Sequence, residues 1–456
     1  MNIEQRSKIQ KEFQEKMDYD ELLNCMRCGF CLPSCPTYLE TSDEVHSPRG
    51  RIALMKAVVD GDIEPDEDVK KSLDMCLGCR ACEPVCPSGV NYGHLLEQAR
   101  DIIYQNEKLS ISTRFIRRTT LKGLFPYQNR MITMTSLLGF YQKSGLRSLT
   151  RKSGIMNLLP EHLAYMEKVL PDVPSKSEMK NRPRHFEPVG QKKKRVAFFS
   201  GCLMDTLFLK TNGATTKLLQ YAGCEIVIPE NQACCGALQG HSGEKNQAKE
   251  MAKRNIQAFE DANVDYIITN AGGCGSFLVD YHFLLKDDPA WTDRAKQLSE
   301  KIKDITRILV ELDFHKKPLH IIGQIITYQD SCHLRNGQKT YTEPRLLLES
   351  INGSHFVEMK DADRCCGSAG IYNIIQSDMS MKILDYKMKH TTATGATTVV
   401  TTNPGCLLQM KLGIEKEGLS KKMKAVHIVD LLLEAYETAL TKEELTDINE
   451  QSKISV

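Results

Sequence analysis

Through the first hundred residues, apolar side chains recur every three or four positions, the period of a helix with one buried face. Residues 1–20 are polar with a helical composition and predict one helix leading into a cysteine-rich loop. The run IALMKAVVDG follows Ser47-Pro48-Arg49-Gly50-Arg51 and predicts a second helix, with Gly61 as its stop. Residues 92–106 (YGHLLEQARDIIYQN) predict a third, amphipathic one. In the second half the pattern changes. RVAFFSGC, VDYIITNAGGC, QIITYQDSC and TTVVTTNPGC are β-branched and aromatic runs, each ending on a cysteine, and they predict strands. Helix-patterned stretches, KNQAKEMAKRNIQAFEDA and DMSMKILDYKMKHTTATG, lie between them. Strands and helices alternating at this spacing predict α/β units with parallel sheets. Ligand sites in such sheets lie at the carboxyl ends of the strands.

Two stretches separate these regions. Residues 108–160 contain no Asp or Glu, and Arg114, Arg117, Arg118 and Lys122 fall at helical spacing around Phe115, Ile116, Leu121 and Leu124. This predicts a helical bridge with a solvated basic face, or a docking face for anionic lipid or an acidic partner. Residues 171–196 carry four prolines and a lysine run, the composition of a linker. The expected fold class is α+β multidomain: an α-helical ferredoxin module (1–107), a basic helical bridge and linker (108–195), two α/β cysteine-rich repeats (196–320 and 321–440) and a polar tail (441–456).

Eight of the 17 cysteines fall in two runs of identical spacing. Cys25, Cys28, Cys31 and Cys35 precede Pro36; Cys76, Cys79, Cys82 and Cys86 precede Pro87. Both read C-x2-C-x2-C-x3-C-P, the run that ligates [4Fe–4S] clusters in bacterial ferredoxins, where the fourth cysteine serves the other cluster. The expected sets are therefore crossed: Cys25, Cys28, Cys31 and Cys86 for one cluster, and Cys76, Cys79, Cys82 and Cys35 for the other. Gly29 and Gly78 leave room for backbone amides beside the sulfurs. Two structural zinc ions are the bland alternative for eight thiolates; the doubled Cys-Pro ending argues against it.

The second half repeats itself. Cys202, Cys234-Cys235-Gly236 and Cys274 are matched by Cys332, Cys365-Cys366-Gly367 and Cys406 at nearly equal intervals. Adjacent cysteines serve one metal centre if the following glycine permits a tight bend. Four thiolates per copy suit a further iron–sulfur cluster or a zinc ion; a redox dithiol and simple core packing are the other readings. The second copy gathers more polar groups, Asp330 and His333 among them. His333 faces Leu203 at the matching position, which weighs against a ligand role. Cys224 has no counterpart and reads as core.

At 456 residues the chain holds two or three domains. A net charge of +2 gives no global attraction to nucleic acid or membrane. No run of 18 apolar residues predicts a spanning helix, and the start lacks the apolar region of a signal peptide. Cysteines spaced as cluster ligands imply a reducing compartment, so the expected location is cytoplasmic, at most peripheral at the inner face of the cell membrane. There is no G-x-G-x-x-G and no P-loop, hence no evident flavin, nicotinamide or ATP site. No catalytic residue is assigned, and the chain alone is expected to oxidise nothing.

The phrases LLNCMRCGFCLPSCPTY, HSPRGRIALMKAV, CLGCRACEPVCPSGV, CCGALQGHSGE, DSCHLRNGQ, CCGSAGIYNI and TNPGC resemble the iron–sulfur subunit family of bacterial glycolate oxidase. The resemblance spans nearly the whole chain and is weakest over 108–195. It implies an electron-transfer subunit that takes electrons from an FAD-dependent hydroxy-acid oxidase subunit, which turns glycolate into glyoxylate, and passes them toward a quinone or other acceptor. D-lactate and glycerol-3-phosphate systems share this electron path, and an iron–sulfur sensor or scaffold is the rival of another class. The fullest form of the cysteine-rich pattern ends in C-x-x-C. Here Cys274 and Cys406 stand alone, so a fifth thiolate is missing from both copies.

Overall fold

The computed structural model describes residues 3–154, 156 and 160–440; the expected polar tail lies outside these. The first module is helical: Ile3–Lys16, Tyr19–Leu23, Pro36–Thr41, Pro48–Asp60, Glu67–Asp74 and Tyr92–Asn106. The single helix expected over 1–20 is two. Asp18 takes an extended conformation and its carboxylate accepts from the Glu21 amide at 3.2 Å, capping the second helix. The helix from Pro48 ends at Gly61, whose φ of +86° favours glycine. Ile9 and Phe13 pack against Met55, Val58, Leu95 and Ile102 to form this module's core.

The bridge is also helical, with Ile111–Arg117 widening into a π turn over Arg118–Lys122, then Gln128–Lys143, Leu146–Lys152 and Glu161–Val169. Its basic face is not wholly solvated. Arg117 donates to Glu244 Oε1 (3.1 Å) and Ser242 O (2.6 Å), and Lys122 pairs with Glu244 at 2.9 Å. The linker composition of 171–196 conceals structure: Lys176–Lys180 is a capped helix turn, and His185–Phe186 forms the first strand, β1. Arg182 clamps the buried Asp205 beside it.

The remaining strands are β2 (Lys194–Phe198), β3 (Cys224–Val227), β4 (Tyr266–Thr269), β5 (Ile302–Asp304), β6 (Ile325–Tyr328), β7 (His355–Phe356), β8 (Thr398–Thr401) and β9 (Lys424–His427). They make two sheets, ordered β1-β3-β2-β4-β5 and β7-β6-β8-β9. Every pairing is parallel except β1 on β3. Removing β1 leaves the same strand order twice, so the sequence duplication is a structural one. The two repeats share a single core in which Phe198, Leu218, Ile226 and Ile308 meet Ile326, Tyr328, Val400 and Leu432. They also cross through two short helices, Gly272–Val279 and Cys332–Gln338. Glycine makes the crossing close: a Cβ at Gly272 would stand 2.9 Å from Leu334 Cβ, and one at Gly337 would stand 2.9 Å from Ser276 Cβ.

Candidate iron–sulfur and CCG cysteine sites

The two ferredoxin-type loops are built alike. In each, the residues directly before and directly after the second cysteine bend the chain the same way: Arg27 (φ +55°) and Gly29 (φ +88°) flank Cys28, and Gly78 (φ +64°) and Arg80 (φ +58°) flank Cys79. Left-handed residues on either side of a cysteine turn successive amides inward, a concavity suited to an anion or iron–sulfur group. Glycine occupies one such position per loop and arginine the other, in opposite order.

Cys25, Cys28, Cys31 and Cys86 line one cavity, with Cys82 at its inner wall. This outer set reaches the surface: Cys28 is exposed, and Met26 and Phe30 beside it are each 66% exposed. Cys35, Cys76, Cys79 and Cys82 are all buried and lie close enough to influence one another electrostatically. Burial raises the Cys76 thiol, but the guanidiniums of Arg51 and Arg100, the Tyr92 hydroxyl (3.5 Å) and the Gly78 amide (3.4 Å) outweigh it and hold the thiol below its ordinary value. Cys79 and Cys82, equally buried, are pushed up by burial and by neighbouring cysteines. Arg51 is wholly buried, and its Nη1 has no hydrogen-bond partner. A buried guanidinium beside cysteines, without a salt bridge to a carboxylate and with one nitrogen unpartnered, fits an anionic thiolate-ligated group in the inner set.

In the cysteine-rich repeats each quartet is drawn together. Cys202 and Cys234 approach to 3.6 Å, and Cys235 reaches Cys274. In the second copy Cys332 contacts Cys365, Cys365 contacts Cys366, and Cys366 contacts Cys406. The bend after each cysteine pair requires glycine: Gly236 has φ +88° and Gly367 φ +91°. Cys332 and Cys406 lie in the first turns of helices that follow β6 and β8, and Cys274 in the helix after β4. Cys202 follows β2 in a turn rather than a helix. Among the described residues no three Cys, His, Asp or Glu side chains converge as one bound ion needs; a cubane holds its thiolates at separated corners.

The copies differ in charge. Lys387 is 1% exposed, donates only to the Asp361 and Ala362 carbonyls, and stands near Cys365 and Cys366. Burial lowers its ammonium to about 8. Neutral Asn255 occupies the comparable helix of the first copy and serves the Ala233 amide, the Cys234 carbonyl and Tyr281. Asp330 is held by Arg345 through contacts of 3.1 and 2.8 Å and by Arg335. The His333 ring stacks on His241 at 5.3 Å, and burial with the nearby His241 and Arg80 brings it down to about 3, so it is neutral. Cys224 sits in β3, fully buried, its thiol pushed up to about 12 by burial.

The inner set abuts the second repeat. Leu77 and Cys79 share a small core with Cys332, Cys365 and Tyr372. Asn336 donates to Cys79 O at 2.9 Å and Tyr372 to Met75 O at 2.9 Å. The sequence reading missed Arg51, Arg100, Asn336, Tyr372 and Lys387. Three of them carried a signal: Arg51 lies on the same helical stripe as buried Met55 and Val58, Arg100 on that of Leu96 and Ile103, and Lys387 on that of Ile383 and Thr391, where a charge is out of place.

Comparison with known proteins covers most of the chain. Residues 21–90 match the family described as "4Fe-4S dicluster domain", residues 112–170 "Glycolate oxidase iron-sulfur subunit, linker region", and residues 196–279 and 326–411 "Cysteine-rich domain". A Bacillus subtilis (strain 168) protein named "Probable glycolate oxidase iron-sulfur subunit" is 66% identical over 94% of this chain and 97% of its own length. The "Glycolate oxidase iron-sulfur subunit" of Escherichia coli (strain K12) is 32% identical over 86% of this chain and 90% of its own. "Lactate utilization protein A" of Halalkalibacterium halodurans is 31% identical over 52% of this chain and 96% of its own length.

Proposed function

The chain belongs to the family of glycolate oxidase iron–sulfur subunits, and on that premise we propose that it carries electrons from a flavoprotein partner oxidising glycolate to glyoxylate toward a quinone or another acceptor. The observation that carries the reading is a pair of cysteine groups, one lining a cavity that opens to the surface at Cys28 and one buried against the second repeat; the reading assigns them as crossed sets. Cys25, Cys28, Cys31 and Cys86 hold one [4Fe–4S] cluster; Cys76, Cys79, Cys82 and Cys35 hold the other. Such clusters, when bound, accept and release single electrons at potentials set by charge, hydrogen bonding and burial. The chain's own work is to place the outer set where a partner reaches it. The exposed Met26 and Phe30 beside Cys28 offer that partner an apolar contact.

A third centre belongs to the second cysteine-rich repeat, on Cys332, Cys365, Cys366 and Cys406. Lys387 supports this: a buried ammonium without a carboxylate within ion-pair reach is stabilised by an anionic thiolate group beside it. The first repeat, on Cys202, Cys234, Cys235 and Cys274, offers no such cation. Glycolate is preferred over lactate because the relatives named for glycolate match most of the chain (94% and 86%), while the lactate-utilisation relative matches about half. No helix among the described residues is long and apolar enough to cross a membrane; the proposed location, cytoplasmic and at most peripheral at the membrane, rests on cysteines spaced as cluster ligands, which call for a reducing compartment. The test is steady-state reduction of a soluble quinone analogue by a purified FAD-dependent glycolate oxidase subunit with and without this chain. Glycolate should drive turnover only with the chain present, and D-lactate or glycerol-3-phosphate should not replace it. Equal quinone reduction by the flavoprotein alone would end the reading.

A further inference from the structure

The two ferredoxin-type cysteine sets sit in different electric fields. Arg51, in the helix Pro48–Asp60, is 0% exposed. Its Nε donates to Ser72 O at 2.8 Å and its Nη2 to Thr37 Oγ1 at 3.1 Å, while Nη1 has no partner. Thr37 Oγ1 in turn lies 3.3 Å from Cys35 Sγ, so Arg51 and Cys35 share one hydroxyl. Arg100 reaches in from the helix Tyr92–Asn106 and donates to Leu73 O (2.8 Å) and Cys76 O (2.7 Å). Neither guanidinium forms a salt bridge among the described residues. Asp74 lies near enough to Arg100 to interact with it, whereas the charge neighbours of Arg51 are Cys76, Cys35 and Tyr92. Arg51 is thus held in the interior by neutral hydrogen-bond partners, which is strongly unfavourable unless an anion lies nearby, and Arg100 adds a second, partly compensated cation. Among the described residues the outer set has no comparable buried cation. The guanidinium that touches its loop is Arg49, on Arg27 O at 2.9 Å, and Glu44 neutralises it through contacts of 2.6 and 3.1 Å near the surface.

We infer that Arg51 and Arg100 hold the iron–sulfur group of the inner set (Cys35, Cys76, Cys79, Cys82) at a higher reduction potential than that of the outer set, so that an electron entering at the exposed Cys28 loop settles inward, beside Cys332 and Cys365. The inference rests on the two-cluster reading above. Reduction adds one negative charge to a cluster. A fixed positive charge in a low-dielectric interior stabilises the reduced form more than the oxidised one. Buried charges are little screened, so the bias persists at physiological salt. The step is a one-electron loss by the outer group and a one-electron gain by the inner one, with no bond or proton exchanged; the flavoprotein's reduced flavin supplies the electron.

The test is an EPR-monitored redox titration of the full-length, anaerobically reconstituted chain. Cys28→Ser identifies which signal belongs to the outer set. The two ferredoxin-type groups of the wild type should titrate in separate steps, the inner one first on lowering the potential, with any signal that survives in a Cys366→Ser variant assigned to them rather than to the second repeat. Arg51→Gln should shift the inner step down and leave the outer unchanged, while Arg51→Lys, which keeps the charge, should restore it. If Arg51→Gln loses inner-set iron, Arg100→Gln provides the same downward shift, and the wild-type order of steps decides regardless. A higher-potential outer group, or an inner step unmoved by Arg51→Gln at full iron content, overturns the inference. Iron for fewer than two clusters in the ferredoxin half would instead refute the two-cluster reading beneath it.

Discussion

Replacing Gly337 with alanine tests the crossing that joins the two cysteine-rich repeats. Gly337 lies in the helix Cys332–Gln338, where alanine is intrinsically better than glycine by about 1 kcal/mol. The added Cβ would stand 2.9 Å from Ser276 Cβ and nearer still to its Oγ, whereas ordinary contact begins at 3.4 Å. Ser276 is 2% exposed and packed in the partner helix, so neither side moves freely. Overpacking of this kind costs about 1–3 kcal/mol. With the clash at the upper end and the propensity gain subtracted, the net loss is about 1–2 kcal/mol. Urea unfolding of the anaerobic holo-chain measures it. Ser276→Gly removes the opposing Cβ and Oγ, so the double variant should recover most of the loss, a coupling of about 1–2 kcal/mol. Stabilisation by about 1 kcal/mol in Gly337→Ala alone, the value for an uncontacted helix position, would show that the helices do not meet at this point.

Two further outcomes follow from the same geometry. Cys35→Ser should deplete iron from the set that includes Cys76, Cys79 and Cys82 and spare the set that includes Cys25, with Cys86→Ser giving the converse; EPR with iron analysis reads both, and loss confined to the variant's own sequence run would refute the crossing. Asp304 is fully buried, its carboxyl raised by burial to about 7 against an ordinary value of 3.8, and its partner contacts are the Thr306 amide and hydroxyl. The folded chain therefore holds this proton more tightly than the unfolded one. The resulting stability is full below about pH 4, declines as pH rises and is lost above about pH 7. Asp304→Asn should accordingly gain in melting temperature relative to wild type from pH 6 to pH 8, and a difference independent of pH would contradict the shift.

The helices with clear punctuation were legible in the sequence. Residues 92–106 form the helix expected, and the helix before Gly61 stops where glycine permits a left-handed turn. The repeated cysteine runs, the parallel sheets and the duplication were legible because strand, glycine and cysteine recur together; the strand order within each sheet was not. What was not legible depends on tertiary contact. Asp18 reads as one more polar helix residue until its carboxylate is seen on the Glu21 amide. β1 is two residues long and exists only because β3 offers an edge. Lys387 lies within a helical pattern that says nothing of the cysteines beside it, and the basic stretch at 114–122 gives no hint that Glu244 takes up two of its cations.

The central claim is that this chain receives electrons from a glycolate-oxidising flavoprotein and has no oxidase chemistry of its own. The most direct measurement mixes the reconstituted chain, a purified FAD-dependent glycolate oxidase subunit and glycolate under argon, and follows the iron–sulfur absorbance of the chain. The account predicts bleaching only when all three are present, and its loss in Cys28→Ser, which damages the set that faces the partner. Bleaching by glycolate without the flavoprotein, or unbleached clusters beside a flavoprotein that is turning glycolate over, would contradict it.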